Sequence, residues 1–210
     1  MKAYYIAGGA ICGALAVAIR LLQLKFPFPL VPYLKFEFAE VPILTGFLLY
    51  GPIVGIIAAF SYWGILNVVG EFVPIGPAMA FAASISTVIG IWCGLKAFKR
   101  IIGSKTALLS FGLFTGILLR VAVMTIFNYV VIWLLFPFFL DFAAKTVSAV
   151  LGINFASQLE ALIVILALTA LFNVIQVIVI AIPSLAIVKA VKGRVMMGKV
   201  ATPWVVRVLE

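Results

Sequence analysis

From residue 159 to residue 188 the chain carries a single charged side chain, Glu160, at the very start of the run. About 20 consecutive apolar residues already cross a bilayer, so a run of this length is a membrane span. Further apolar runs occupy residues 4–24, 42–50, 53–69, 77–95 and 107–140; the second is short and the last is interrupted by Pro137. Soluble domains are about half apolar, whereas 66% of these 210 residues are hydrophobic and only 10% charged. The pattern predicts an all-α integral membrane protein with six transmembrane helices. The first run follows Lys2 as in a signal peptide, but it is longer than a typical h-region and leads to no clear small-residue cleavage site. It is read as a retained helix.

Charge placement predicts the topology. With six spans and both termini in the cytoplasm, the inner segments hold Lys2, Lys96, Lys99, Arg100, Lys105, Lys189, Lys192, Arg194, Lys199 and Arg207. The outer segments hold Lys25, Lys35 and Lys145, with Arg20 near their edge, as the positive-inside rule requires. Five of the six acids, Glu37, Glu40, Glu71, Asp141 and Glu160, fall on or near the outer side. The net charge of +9 therefore reflects topology and contact with anionic lipid, and no interleaved basic and aromatic surface points to nucleic acid. One transmembrane domain, residues 1–210, is expected, with a short basic tail at 189–210.

Several chemistries are excluded. There is no histidine, which removes His/Cys metal sites and His-based acid–base catalysis. No phosphate-binding loop, nucleophile elbow or acidic metal motif occurs, so neither a catalytic site nor a cofactor is expected. Cys12 and Cys93 lie inside spans and read as small hydrophobes. Polar residues concentrate instead in the outer loop 25–41, "KFPFPLVPYLKFEFAEV". Its three prolines forbid regular helix at the start, and "LKFEFAE" then alternates apolar and charged residues as an extended strand does. A loop this long between spans is more often functional than passive, the alternative being an interfacial connector.

The segment "LKFEFAEVPILTGFLLYGPIVG" resembles the signature of the substrate-binding S-components of energy-coupling-factor (ECF) vitamin transporters, closest to their riboflavin-specific branch. That pattern runs Leu-Lys-x-Asp-Phe-Ser-Asp-Ile-Pro, then a short helix ending in Gly-Pro-x-x-Gly. Here the positions read Leu34, Lys35, Phe36, Glu37, Phe38, Ala39, Glu40, Val41 and Pro42, then Gly51, Pro52 and Gly55. The resemblance implies a membrane cup whose loop after helix one is a lid over a vitamin near the outer face, with Leu34, Phe36, Glu37, Phe38 and Glu40 contacting it. "IFNYVVIWLLFP" resembles the family's Asn-Tyr before a proline, placing Asn128 and Tyr129. "LFNVIQ" resembles Phe-Asn-x-x-Lys, placing Phe172, Asn173 and Gln176. As the alternative to ligand contact, Asn128 and Asn173 hydrogen-bond neighbouring helices.

The departures matter too. Gln176 stands where the riboflavin pattern has Lys, and Tyr62 and Trp63 stand where it has a Lys-Asn pair after Gly-Pro. Arg120 lies eight residues before Asn128, about two turns away on one helical face, and is a candidate to replace a lost cation. It is equally a structural Arg with a carbonyl or Glu as partner. Ala10, Ala14 and Ala18 recur every four residues, with Gly9 and Gly13 widening the smooth strip. In the family, an Ala-x-x-x-Ala strip on this helix docks the transmembrane coupling subunit. The resemblance thus implies a high-affinity vitamin-uptake subunit, riboflavin first, working with a coupling subunit and two ATPases. The alternatives are another heterocyclic vitamin or precursor, or a non-transport membrane assembly or scaffold protein.

Overall fold

The computed structural model describes residues 3–196, 199, 200 and 202–210; Lys2, counted above among the inner cations, lies outside them. Its helices are α1 (Ala3–Leu21), α2 (Val41–Tyr50), α3 (Pro52–Val69), α4 (Ile75–Phe98), α5 (Lys105–Tyr129), α6 (Phe138–Leu151), α7 (Gln158–Val191) and α8 (Trp204–Leu209). Strands β1 (Lys25–Phe28) and β2 (Val31–Glu37) form a hairpin between α1 and α2, and β3 (Val195–Met196) pairs with β4 (Lys199–Val200) after α7. Among the described residues five helical segments are long and apolar enough to cross a membrane, and α2 is a shorter apolar helix. The protein is a multi-pass membrane protein.

Two segments depart from the expected spans. The run 107–140 is divided: α5 continues into a π-helical turn, Val130–Leu135, the chain breaks at Phe136–Pro137, and α6 starts afresh. Pro137 cannot continue the helix because it lacks an N–H and crowds the preceding turn. The extended segment expected over 34–40 is real as far as Glu37, where it forms the second arm of a hairpin. Lys25 pairs with Glu37, Phe26 with Phe36 and Pro27 with Lys35.

Helix α2 determines what lies at which depth. Its 10 residues make it about 15 Å long, half a bilayer core, whereas the 18 residues of α3 reach about 27 Å. The two helices meet at Gly51, whose φ of +104° is open to glycine and strained for other residues. There the indole of Trp204 from α8 would lie 3.0 Å from a Cβ. Because α3 runs back along the shorter α2, the residues ahead of α2 sink into the bundle. Glu40 is one of them.

Glycines set the two closest helix seams. A Cβ on Gly9 would sit 2.5 Å from Ile57 Cγ2, and one on Gly13 2.6 Å from Ser61 Cβ, so α1 meets α3 backbone to backbone. Gly9 and Gly13 therefore belong to the internal seam and do not widen the outward strip, as the sequence had suggested. Between α4 and α5, Gly90 and Gly94 face Gly112 and Gly116, and Thr115 Oγ1 donates to the Gly90 carbonyl at 2.9 Å. At the start of α7, Ser157 Oγ accepts from the Glu160 N–H at 3.1 Å while Glu160 accepts from the Ala156 N–H at 2.7 Å. This reciprocal cap uses the one charge in that long apolar run to satisfy helix-end donors.

Candidate functional site

The polar residues of the outer loop converge with polar residues of α4, α5 and α7. Arg120, only 3% exposed, lies at the centre. Its Nη1 and Nη2 donate to the two carboxylate oxygens of Glu40 at 2.6 and 2.9 Å, a bidentate fork. Its Nε donates to Asn173 Oδ1 at 2.9 Å, and Nη1 also reaches Thr87 Oγ1 at 3.3 Å. Ser84 Oγ donates to Glu40 at 3.3 Å, and Asn173 Nδ2 donates to the Thr169 carbonyl at 2.9 Å. A charge buried in a membrane bundle needs a partner and further hydrogen bonds, and this network supplies both.

A second set of contacts clasps the hairpin. The Gln176 amide donates to the Glu37 carbonyl at 2.8 Å and accepts from the Glu37 N–H at 3.3 Å, as a neighbouring strand would. Arg20, at the end of α1, donates to the Glu37 carboxylate at 2.6 Å. Burial pushes the Glu37 carboxyl above the ordinary carboxylate range, with Arg20 pulling the other way. Lys25 Nζ lies 3.7 Å from Glu71, in the link between α3 and α4. The hairpin is thus tied to α1, α7 and the α3–α4 link at once.

Under the hairpin lies an aromatic cluster. Phe36 stacks on Phe172 of α7 with centroids 4.8 Å apart and planes 23° from parallel. Phe28 meets Phe36 edge-on at 5.5 Å and Phe172 at 5.9 Å. Leu34 and Tyr33 pack against the same cluster, with Ile132, Leu140 and Ile165 beyond. The Tyr33 hydroxyl is buried without a hydrogen-bond partner among the described residues, and burial pushes its phenol up to about 12.

The residues singled out in the sequence fall into separate groups. Glu40, Arg120 and Asn173 form one network; Glu37 and Gln176 form another; Leu34 and Phe36 line the aromatic cluster. Phe38 turns toward the helical core, 6.2 Å from Phe26. Asn128 is buried on α5 and donates to its own helix, to the Met124 carbonyl at 2.7 Å, while Tyr129 is exposed. Every nitrogen of the Arg120 guanidinium has a protein acceptor. Ala10, Ala14 and Ala18 line the outward face of α1 and are exposed, opposite the buried Gly9 and Gly13. The sequence had not singled out Arg20, Ser84, Thr87 or Thr169. Two arginines at or inside apolar runs and two glutamates in the outer loop were the available signal for the two ion pairs.

No family model matches the chain. It is similar to "Riboflavin transporter FmnP" of Bacillus subtilis (strain 168), 34% identical over 143 residues that span 64% of this chain and 70% of that protein. It is also similar to "Riboflavin transporter RibU" of Staphylococcus aureus (strain TCH60), 32% identical over 170 residues, 80% of each chain. Among solved structures, an S component of a bacterial ECF transporter superposes with a TM-score of 0.64 at 22% identity, over 90% of this chain and 96% of that one.

Proposed function

The chain belongs to the S-component family of ECF transporters, which serve vitamin uptake and are not enzymes, and from that premise we propose that it binds riboflavin beneath its hairpin. The observation that carries this reading is the near-parallel stack of Phe36 on Phe172 under a strand clasped by Gln176. A flat heterocycle can take the place of one ring in such a stack, since the face of a Phe ring favours an offset-stacked aromatic partner. The Tyr33 hydroxyl, buried without a partner among the described residues on a ring packed beside Phe142 of α6, offers a ligand a polar contact. Leu34, Phe36 and Glu37 then frame the ligand from the hairpin, and Asn128, Tyr129, Asn173 and Gln176 from α5 and α7. Phe38, Glu40 and Arg120 hold the lid's base in place.

The rest of the assembly follows the family. Six apolar helices, α2 among them, form one unit over residues 1–210 with both termini and the basic tail in the cytoplasm. The vitamin enters from the outer, acid-rich side. The exposed strip Ala10, Ala14 and Ala18 docks a transmembrane coupling subunit, and two ATPases supply the work. Gln176 in place of Lys favours a second reading, another heterocyclic vitamin, because its amide is already engaged with the hairpin backbone.

The test is a fluorescence titration of detergent-purified protein with riboflavin, alongside a panel of other vitamins. Riboflavin is expected to saturate one site and to outcompete the panel. Saturation by a different heterocycle with no response to riboflavin selects the second reading, and no response to any vitamin rejects both. Gln176→Leu removes two hydrogen bonds holding the lid, at about 0.5–1.5 kcal/mol each. The ligand's off-rate is expected to rise at least about fivefold, with the helical far-ultraviolet spectrum unchanged. An unaltered off-rate would show that the hairpin does not gate release.

A further inference from the structure

At the opposite end of the bundle from the hairpin, a cavity of about 390 Å³ opens between the end of α4 and α8. Cavities of this size hold small ligands. Helix α4 contributes Trp92, Leu95 and Lys96, with Lys99 at its C-cap continuing the same face; α8 contributes Trp204, Arg207 and Val208. Two indoles and two aliphatic side chains thus make the walls, and three cations stand around them. Lys96 Nζ lies 5.6 Å above the Trp92 ring.

No carboxylate answers these cations among the described residues. The ion pairs join Arg20 to Glu37, Lys25 to Glu71, Arg120 to Glu40 and Lys105 to Glu210. Glu210, on the same short C-terminal segment as Arg207, therefore reaches away to Lys105. Asp141 and Glu160 lie on α6 and α7 toward the hairpin end. Three like charges around one cavity repel one another until an anion joins them.

We propose that this cavity binds the phosphate of an anionic phospholipid headgroup, with phosphatidylglycerol as the simplest case. Depth separates this source from a soluble phosphate ester. The 24 residues of α4 reach about 36 Å, beyond the roughly 30 Å hydrocarbon core, so its last turn, with Lys96, emerges at headgroup level. Tryptophan prefers that level as well. The cations meet the phosphate and the indole and aliphatic walls meet the first carbons of the acyl chains, which a soluble phosphate ester lacks. Bound there, the lipid ties α8 to α4, and α8 in turn covers Gly51 at the α2–α3 junction.

The test is native mass spectrometry of the full chain with phosphatidylglycerol and phosphatidylcholine of identical tails in equal amounts. Phosphatidylglycerol is expected to be retained about tenfold more, and Lys96→Gln/Arg207→Gln to remove that preference, each cation near an anionic surface being worth about fivefold in binding. Lys189→Gln/Lys192→Gln, in the neighbouring basic segment, is expected to leave the preference intact. Equal retention of the two lipids in the parent protein overturns the proposal without reference to any variant. A preference lost in the Lys189/Lys192 variant and kept in the Lys96/Arg207 variant overturns it by placing the lipid elsewhere. Displacement of phosphatidylglycerol by millimolar glycerol 3-phosphate overturns the lipid assignment in favour of a soluble phosphate ester.

Discussion

Arg120→Gln is expected to destabilise the protein by about 3–5 kcal/mol, the usual loss when one member of a buried ion pair is removed. The magnitude follows from what remains. Glu40, with a side chain only 12% exposed, keeps its carboxylate ahead of a half-length helix and loses both guanidinium donors. Ser84 Oγ, at 3.3 Å, cannot replace them. Asn173 loses its Nε donor as well. Thermal unfolding in detergent reads the effect, and the double variant Arg120→Gln/Glu40→Gln identifies its cause. With the stranded charge gone, the double variant is expected to unfold at a higher temperature than Arg120→Gln alone, a positive coupling in a double-mutant cycle. Additive losses would mean that the pair contributes little as a pair. A parent-like Arg120→Gln would mean that the network does not hold the fold.

How much of this was legible in the sequence follows from which interactions are local. The spans were readable because hydrocarbon makes nearly every residue of a helix apolar, and such runs stand out without any knowledge of neighbours. The division at Pro137 was half visible: the proline marked a break, but the independent helix after it came from residues 138–151, which the apolar count had partly absorbed. The part of β2 from Leu34 to Glu37 showed its alternation. Its partner, Lys25–Phe28, did not, since two of its neighbours in the loop are prolines and strand pairing is a tertiary event. The partner of Arg120 was hidden for a related reason. Glu40 is eighty positions away, and it comes within reach only because α2 is too short to carry it to the surface. The length of α2 was in the sequence; its consequence for depth required the packing of α2 against α3. Gln176 was marked as a departure from a family pattern, but its bond to the Glu37 backbone needed the hairpin's position.

Two adjacent residues of α1 give the last expectation, with opposite outcomes one position apart. Ala14 faces outward on the strip with Ala10 and Ala18, while Gly13 faces α3, where a Cβ would lie 2.6 Å from Ser61 Cβ and 2.9 Å from the Ala58 carbonyl oxygen. Ala14→Trp therefore adds bulk where this chain has no neighbour of its own. Folding and vitamin affinity are expected to stay within about twofold of the parent. Uptake by cells carrying the complete transporter is expected to fall at least tenfold, because a small-residue seam joins helices only at close approach. Gly13→Val forces α1 away from the α3 backbone, which cannot yield, and overpacking of this kind costs about 1–3 kcal/mol or more. It is expected to lower thermal stability and to reduce binding and uptake together. Paired measurements of unfolding temperature, vitamin affinity and uptake on both variants separate the two faces. If Ala14→Trp loses binding in detergent in parallel with uptake, the outward strip supports the fold, and the coupling subunit docks elsewhere. If it transports normally, the strip is lipid-facing surface, since an indole at the centre of a docked seam would hold the two helices apart.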